Sequence, residues 1–363
     1  MMFYLAVIVL CFTGLQFAVA LVNFLFSSRL KTGNDGGEFI SVLIPARNEE
    51  HNIGSLLNDL RKQSYRNLEI IVFDDDSADF TAEIVKQAAA EDPRIRLIES
   101  EGLEEGWLGK NRACHLLAIE ARGTYLLFLD ADVRIGKNFI SEALAGAVKR
   151  KTGLLSIFPR QVMLSPGEWS TVPVMNYILL TLLPLILVRK SKFSSFSAAN
   201  GQFMLFDAAV YRKYLPHSHF RDQKVEDIAI IRYLKQEAIP VACLASKAGI
   251  SCRMYSTFGE AVHGFSKNIV MFFGGSPVMA ILFWSITTLG FIPVLAAISP
   301  ALIAAYFIAI ILIRILVSLT SRQSIGRNLL YLIPQQLSMG LMIYHSIRNS
   351  IRKQYTWKGR NIS

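Results

Sequence analysis

Leu126-Leu127-Phe128-Leu129-Asp130-Ala131-Asp132 sets four apolar residues directly before two carboxylates one residue apart. With Tyr125 in front, the run reads as a buried strand, and the acids mark its carboxyl end. Upstream, Phe39–Pro45 and Leu68–Phe73 are two more β-rich runs with polar residues at their ends, and Arg94–Ile98 is a further candidate. Helical patterns lie between them at Asn52–Gln63, Thr81–Ala90 and Ala113–Ala121. Strands alternating with helices predict an α/β fold built on a Rossmann-like parallel sheet. Such sheets bind ligands beyond the carboxyl ends of their strands, where the polar motifs of this chain cluster.

The spacing of Asp130 and Asp132 lets both carboxylates meet one hard cation, and Mg²⁺ or Mn²⁺ keeps open positions for a diphosphate. Such a metal would neutralise charge on a departing diphosphate. In Ile44-Pro45-Ala46-Arg47-Asn48-Glu49-Glu50 a strand ends and a polar loop opens a helix. Its backbone and the Arg47 guanidinium could grip a nucleotide, although the stretch alone is more simply a helix cap. Asp74-Asp75-Asp76 gathers three carboxylates at some electrostatic cost. A base, ribose or cation would offset that cost, and an Asx turn before the helix at Thr81 is an equal alternative. Gly106-Trp107-Leu108-Gly109-Lys110 reads as a loop offering Lys110 to phosphate, or as a surface loop with one exposed lysine. Glu226 and Asp227 could cap a helix or serve in catalysis, with Asp227 the candidate general base. His217 and His219 read as polar loop residues. Cys11, Cys114, Cys243 and Cys252 form no C-x-x-C pair and read as reduced, unligated thiols.

Hydrophobic residues make up 52% of the 363 positions and charged residues only 18%, with a net charge of +10. That balance points to membrane insertion. Residues 1–28 are uncharged and long enough to span. Without a basic n-region they read as an uncleaved anchor rather than a signal peptide. Arg29 and Lys31 place the following domain in the cytosol. Residues 268–320 read as a transmembrane hairpin, its helices joined near Pro293–Pro300, and Lys267 reads as its interfacial anchor, with a phosphate contact the alternative. Residues 329–363 read as an interfacial helix and a basic tail carrying Arg348, Arg352, Lys353, Lys358 and Arg360. Residues 169–188 are also uncharged and long enough to span. The acidic motifs on either side must share one site, so this stretch is expected at the membrane surface or buried, broken by Pro173 and Pro184. The catalytic unit is then 38–255. The basic charge lies where a membrane surface, not a nucleic acid, would meet it.

In sequence order, Pro45-Ala46-Arg47-Asn48-Glu49, Asp74-Asp75, Gly109-Lys110, Asp130-Ala131-Asp132 and Glu226-Asp227 resemble the motif series of the inverting family 2 glycosyltransferases, over about Ile40 to Leu234. The anchor, Ala199-Asn200-Gly201-Gln202, the Gly264–Asn268 run and the ending Trp357-Lys358-Gly359-Arg360 are similar to the membrane-linked carotenoid- and hopanoid-associated members. The resemblance implies an A-type nucleotide-binding domain with transmembrane helices, in a bacterial inner (cell) membrane. It puts Pro45, Ala46, Arg47, Glu49, Asp74 and Asp75 around a UDP- or GDP-type sugar donor. Lys110 and Asp130 would meet the diphosphate, and Asp130 and Asp132 the metal. Asn200, Gly201 and Gln202 would line the sugar or acceptor pocket, and Asp227, beside Glu226, would act as base with inversion.

Asp76 replaces the glycine usual in that series, so the turn there is expected to differ. The Gln-x-x-Arg-Trp motif of processive synthases is absent, which favours one transfer to a membrane lipid hydroxyl over polymer synthesis. A polyprenyl phosphate acceptor and a silent nucleotide-sugar-binding scaffold are the alternatives. The oligomeric state is not legible.

Overall fold

Seven apolar segments pair into one sheet, seen in a computed structural model that describes every residue except 28–29, 31–36, 246–248, 353–355, 358–359 and 362–363, with no side chain beyond 350. Arg29, Lys31 and the basic residues of the tail from Arg352 onward therefore lie outside the described side chains. The first helix, α1 (Met2–Leu25), precedes the alternating series β1 (Ile40–Ala46), α2 (Ile53–Arg61), β2 (Leu68–Asp74), α3 (Thr81–Glu91), β3 (Ile95–Glu99), α4 (Gly109–Glu120) and β4 (Tyr125–Leu129). After β5 (Val133–Ile135) come α5 (Phe139–Arg150), β6 (Leu154–Ile157) and β7 (Arg160–Gln161). Three short helices follow, α6 (Pro166–Thr171), α7 (Pro173–Leu182) and α8 (Ile186–Lys190), and the chain re-enters the sheet as β8 (Phe203–Asp207). Next are α9 (Ala208–Tyr214), α10 (Pro216–His219), α11 (Glu226–Gln236), β9 (Val241–Leu244) and β10 (Ile250–Cys252).

The sheet order is β3-β2-β1-β4-β8-β6-β9. β1 to β4 are parallel, as the alternation predicts. β8 runs antiparallel to both β4 and β6, so the sheet is mixed rather than purely parallel. The reversal follows from the connection: β8 is reached through α6–α8, not through one crossover helix, and it enters from the opposite end. Both faces are covered. Val42, Ile44, Leu127 and Phe203 belong to one core, and Leu43, Leu126, Phe128 and Phe206 to the other. A second sheet, β5-β10-β7, pairs Cys252 with Val133 and so brings residue 252 beside the Asp130–Asp132 turn.

The remaining helices form a separate bundle: α12 (Phe258–Ser266), α13 (Pro277–Leu289), α14 (Phe291–Ala297), α15 (Pro300–Ser321), α16 (Ile325–Leu330) and α17 (Leu332–Arg352). Helices α1 and α15 are long and apolar enough to cross a membrane, and α13 with α14 forms a pair bent by 49° that qualifies together. At the bend, a Cβ on Gly290 would meet the Ile286 carbonyl at 2.3 Å and Val9 of α1 at 2.8 Å, so only glycine permits this approach. Pro173 sits at the first turn of α7, where its missing N–H costs nothing, and Pro184 lies in the break before α8.

Helix α7 packs against α1, α15 and α17. Two polar side chains of α1 are buried in that contact. Gln16 Nε2 donates to Thr181 Oγ1 at 3.2 Å and to Tyr177 Oη at 3.4 Å. Asn23 Nδ2 donates to the Leu180 and Leu183 carbonyls at 3.0 and 2.8 Å, and its Oδ1 accepts from Leu185 N at 2.7 Å. Arg314 of α15 is buried, donates to Gln335 Oε1 at 2.9 Å and stacks 3.8 Å over the Tyr177 ring. Gln335 Nε2 in turn holds the Trp169 carbonyl at 3.0 Å.

Candidate active site

The carboxyl end of β4 and the start of α11 converge on Lys110. Gly109 and Lys110 form the first turn of α4 rather than the loop that the glycines predicted. The turn sits four residues ahead of the expected helix, and the Leu108 N–H is held by the Arg221 carbonyl at 2.8 Å. Lys110 Nζ lies 2.8 Å from Asp130 Oδ1 and 3.5 Å from Glu226 Oε1. Burial alone would lower its pKa, but the charges of Asp130 and Glu226 raise it, so Lys110 is a fixed cation. Asn111 secures the opposite wall, its Nδ2 donating to the carbonyls of Phe220 and Gln223 at 2.8 and 3.0 Å.

Glu226 and Asp227 open α11. Asp227 Oδ2 accepts from Gly201 N at 3.0 Å, and Oδ1 from Ile228 N at 2.7 Å. Burial, followed by the neighbouring Glu226 charge, raises the Asp227 pKa despite those bonds and Lys110. A carboxylate that binds protons near neutrality suits a general base. Gly201 is wedged among these groups: a Cβ there would lie 3.1 Å from Lys110 Nζ and 3.4 Å from Glu226 Oε1. Asn200 turns this loop, with Oδ1 accepting from Gln202 N at 2.9 Å and its own N–H bound to Ser156 Oγ at 2.8 Å.

Asp132 is half-buried, and desolvation together with the Asp130 charge raises its pKa. Gln202 Nε2 donates to its two oxygens at 3.3 and 3.2 Å and lies 2.8 Å from Cys252 Sγ. The Cys252 thiol donates to Asp132 Oδ2 at 3.2 Å. Two adjacent hard carboxylates whose mutual repulsion a divalent cation would relieve fit Mg²⁺ or Mn²⁺. Among the described residues no group of three or more His, Cys, Asp or Glu side chains could hold a metal. Protein ligation by Asp130 and Asp132 alone would leave the other positions to water and diphosphate oxygens.

The turns after β1 and β2, which the resemblance sets around the nucleotide, brace one another. Arg47 Nη1 donates to the carbonyls of Asp75 and Asp76, the latter at 2.9 Å, and lies 3.6 Å from the Asp76 carboxylate. The guanidinium thus braces the turn. Asp76 has φ 57°, so it adopts the left-handed conformation that glycine would favour at that position. Asp74 Oδ2 accepts from Ser77 N at 3.2 Å, while its Oδ1 is buried with no hydrogen bond. Asp75 is buried, its N–H on the Ala46 carbonyl at 2.8 Å. The Glu49 N–H is bound by Thr81 Oγ1 at 2.8 Å, and Asp79 makes the Asx turn before α3 through Thr81 N at 3.0 Å.

His217 and His219 lie in α10 rather than in a loop. His217 is buried, its Nδ1 2.8 Å from Tyr211 Oη, and burial drives its pKa down to about 3. Cys252, Ser156 and Asn111 carried no signal in the sequence. They are uncharged, and each acts on a site residue or site loop far along the chain. The four cysteines are all free, as expected.

Residues 41–215 match the family model "Glycosyl transferase family 2". A 4,4'-diaponeurosporenoate glycosyltransferase of Staphylococcus haemolyticus (strain JCSC1435) is 29% identical over 73% of this chain and 70% of its own length. The enzyme of the same name from Staphylococcus aureus (strain USA300) is 31% identical over 37% of this chain and only 35% of its own. Among solved structures, a mannosyltransferase from Pyrobaculum calidifontis in complex with GDP-Man and Mn²⁺ superposes with a TM-score of 0.58 at 15% identity, covering 96% of this chain and 100% of that one. This likeness concerns the fold, which is of the A type. Residues 41–215 are a family 2 glycosyltransferase domain, and the chain is a glycosyltransferase.

Proposed function

We propose that the enzyme moves one sugar from a UDP- or GDP-type donor to a hydroxyl of a membrane lipid, at the cytosolic face of a bacterial cell membrane. The observation that carries this reading is the Lys110 bridge between Asp130 and Glu226, with Asp227 beside it and helices α6 and α7 packed onto the apolar bundle. In this reading Asp130 and Asp132 hold Mg²⁺ or Mn²⁺, which offsets diphosphate charge. Lys110 adds a fixed positive charge on the same side. Asp227 takes the acceptor hydroxyl proton as that oxygen bonds to the sugar anomeric carbon. The bond from that carbon to the donor phosphate breaks, and its electron pair leaves with the diphosphate. Attack opposite the leaving group inverts the centre.

The test uses the full chain in lipid-supplemented detergent with Mn²⁺ and a panel of nucleotide sugars. Lipid-dependent release of nucleoside diphosphate and a hexosyl mass on the lipid are expected, both lost in Asp130→Asn. Turnover unaffected by that substitution would overturn the reading. A second acceptor class is supported by the Staphylococcus haemolyticus relative, whose name specifies a carboxylate. A carboxylate is already ionised and needs no base. Asp227→Asn would then keep most activity, whereas a hydroxyl acceptor predicts a loss of about 10²–10⁴-fold.

A further inference from the structure

We propose that a basic cleft at the small sheet, sharing no residue with the site above, holds the phosphate of an anionic lipid headgroup. The cleft has a volume of about 640 Å³ and is lined by Arg134, Arg160, Arg322 and residues Gly249–Ser251. It continues past Asp59 and Ile135 into a hollow of about 490 Å³ lined by Arg61, Lys62, Arg66 and Lys137. Two of these cations are neutralised. Arg134 grips Asp59 at 2.6 and 2.9 Å, and Arg61 meets Glu91 at 2.6 Å. Among the described residues, Arg160, Arg322, Lys62 and Lys137 meet no carboxylate within ion-pair distance, and Arg160 and Arg322 are exposed. Uncompensated like charges around a concavity repel one another, and a bound anion relieves that cost. Guanidinium groups fit phosphate oxygens in particular.

The choice of a lipid over a free anion rests on position. Arg322 directly follows the last residue of α15, the apolar helix long enough to span. Under the membrane reading proposed above, it lies at headgroup level. β7 and β10 bring Arg160 and residues 249–251 to the same level from the catalytic side. Gly249, at φ 92°, gives the wall no side chain there.

Full-length protein in nonionic detergent would be titrated with dihexanoyl phosphatidylglycerol, dihexanoyl phosphatidylcholine or inorganic phosphate, with adducts counted by native mass spectrometry. The double variant Arg160→Gln/Arg322→Gln is expected to lose roughly 30-fold in phosphatidylglycerol affinity, about fivefold for each charge. Lys86→Gln/Lys213→Gln removes two charges outside the cleft and should bind like the parent. If the double variant is not monodisperse, Arg160→Gln alone carries the test. Unchanged affinity, or equal binding of phosphatidylcholine, would overturn the proposal. Inorganic phosphate competing at the same concentration would overturn the lipid assignment in favour of a free-anion site. Thiol labelling of cysteines introduced along α15, read separately, distinguishes failure of the membrane reading from failure of the headgroup site.

Discussion

Gly201 is the residue on which the proposed catalytic geometry turns, because its backbone N–H holds Asp227 while its missing side chain leaves room for Lys110. Gly201→Ala should lower kcat by about 10–100-fold through displacement of these groups, with little change in thermal midpoint. Undiminished kcat in a folded variant would sink that account. The Asp227 carboxyl makes a second prediction. Its pKa is raised by burial and then by Glu226, and only its ionised form can accept a proton. With a hydroxyl acceptor, kcat/KM should therefore fall as pH drops through a value well above the ordinary ~3.9 of aspartate. Glu226→Gln removes the like charge and should move that acid limb to lower pH. A limb left in place would mean that another group is titrating. Asp130 and Asp132 were legible in the sequence because charge is costly at the end of an apolar run, Lys110 because two glycines precede it, and Glu226 and Asp227 as an acid pair between apolar residues. Gln202 was legible only as a lining residue. Its bonds to Asp132 and Cys252 join chain positions separated by 70 and 50 residues, and the Gln202 amide that makes them bears no charge.

At the level of elements, α6 shows how one buried carboxylate fixes a helix. Glu168 closes a capping box with Ser165, accepts from Leu164 N at 2.9 Å and from Arg253 Nε at 2.8 Å, and its side chain is fully buried. Burial on its own would raise its pKa, but the bonds from Arg253, Ser165 and Leu164 prevail and lower it to about 2. A depressed carboxylate stabilises the fold above its unfolded value of about 4.3, and that contribution is lost as pH falls toward 2. Glu168→Gln should cost about 1–3 kcal/mol at neutral pH, and the gap to the parent should narrow across that acidic window in denaturant titrations. A gap that stays constant with pH would refute the ionic origin. The strands up to β4 were readable from apolar runs of five to seven residues. The direction of β8 was not, because strand direction depends on where a connection enters the sheet, and the side-chain pattern is the same either way. The start of α4 was missed because two glycines and a lysine argue for a loop, while the bond that fixes the turn comes from Arg221.

At the scale of the whole molecule, the catalytic unit and the apolar bundle are joined through α7, whose buried residues Ile178 and Leu180 share a core with Ala20, Ile313 and Met342. A chain beginning after residue 28 would leave Tyr177, Thr181 and the end of α7 without Gln16 and Asn23. Such a truncation is expected to aggregate on size-exclusion chromatography even in detergent, and a monodisperse, active product would show that α1 is only a tether. Asn23→Leu in the full chain removes three hydrogen bonds at one point and should lower stability by about 1–3 kcal/mol.

The bonds of Asn23 also impose an order on biogenesis. In the membrane reading, α1 is translated and inserted first, yet the groups that satisfy Asn23 and Gln16 lie 157 to 165 residues later in the chain. At a ribosomal rate of about 5–20 residues per second, roughly 10–30 s separate the two. Through that interval the nascent anchor carries unsatisfied amides in the bilayer, and only the arrival of Tyr177–Leu185 completes it.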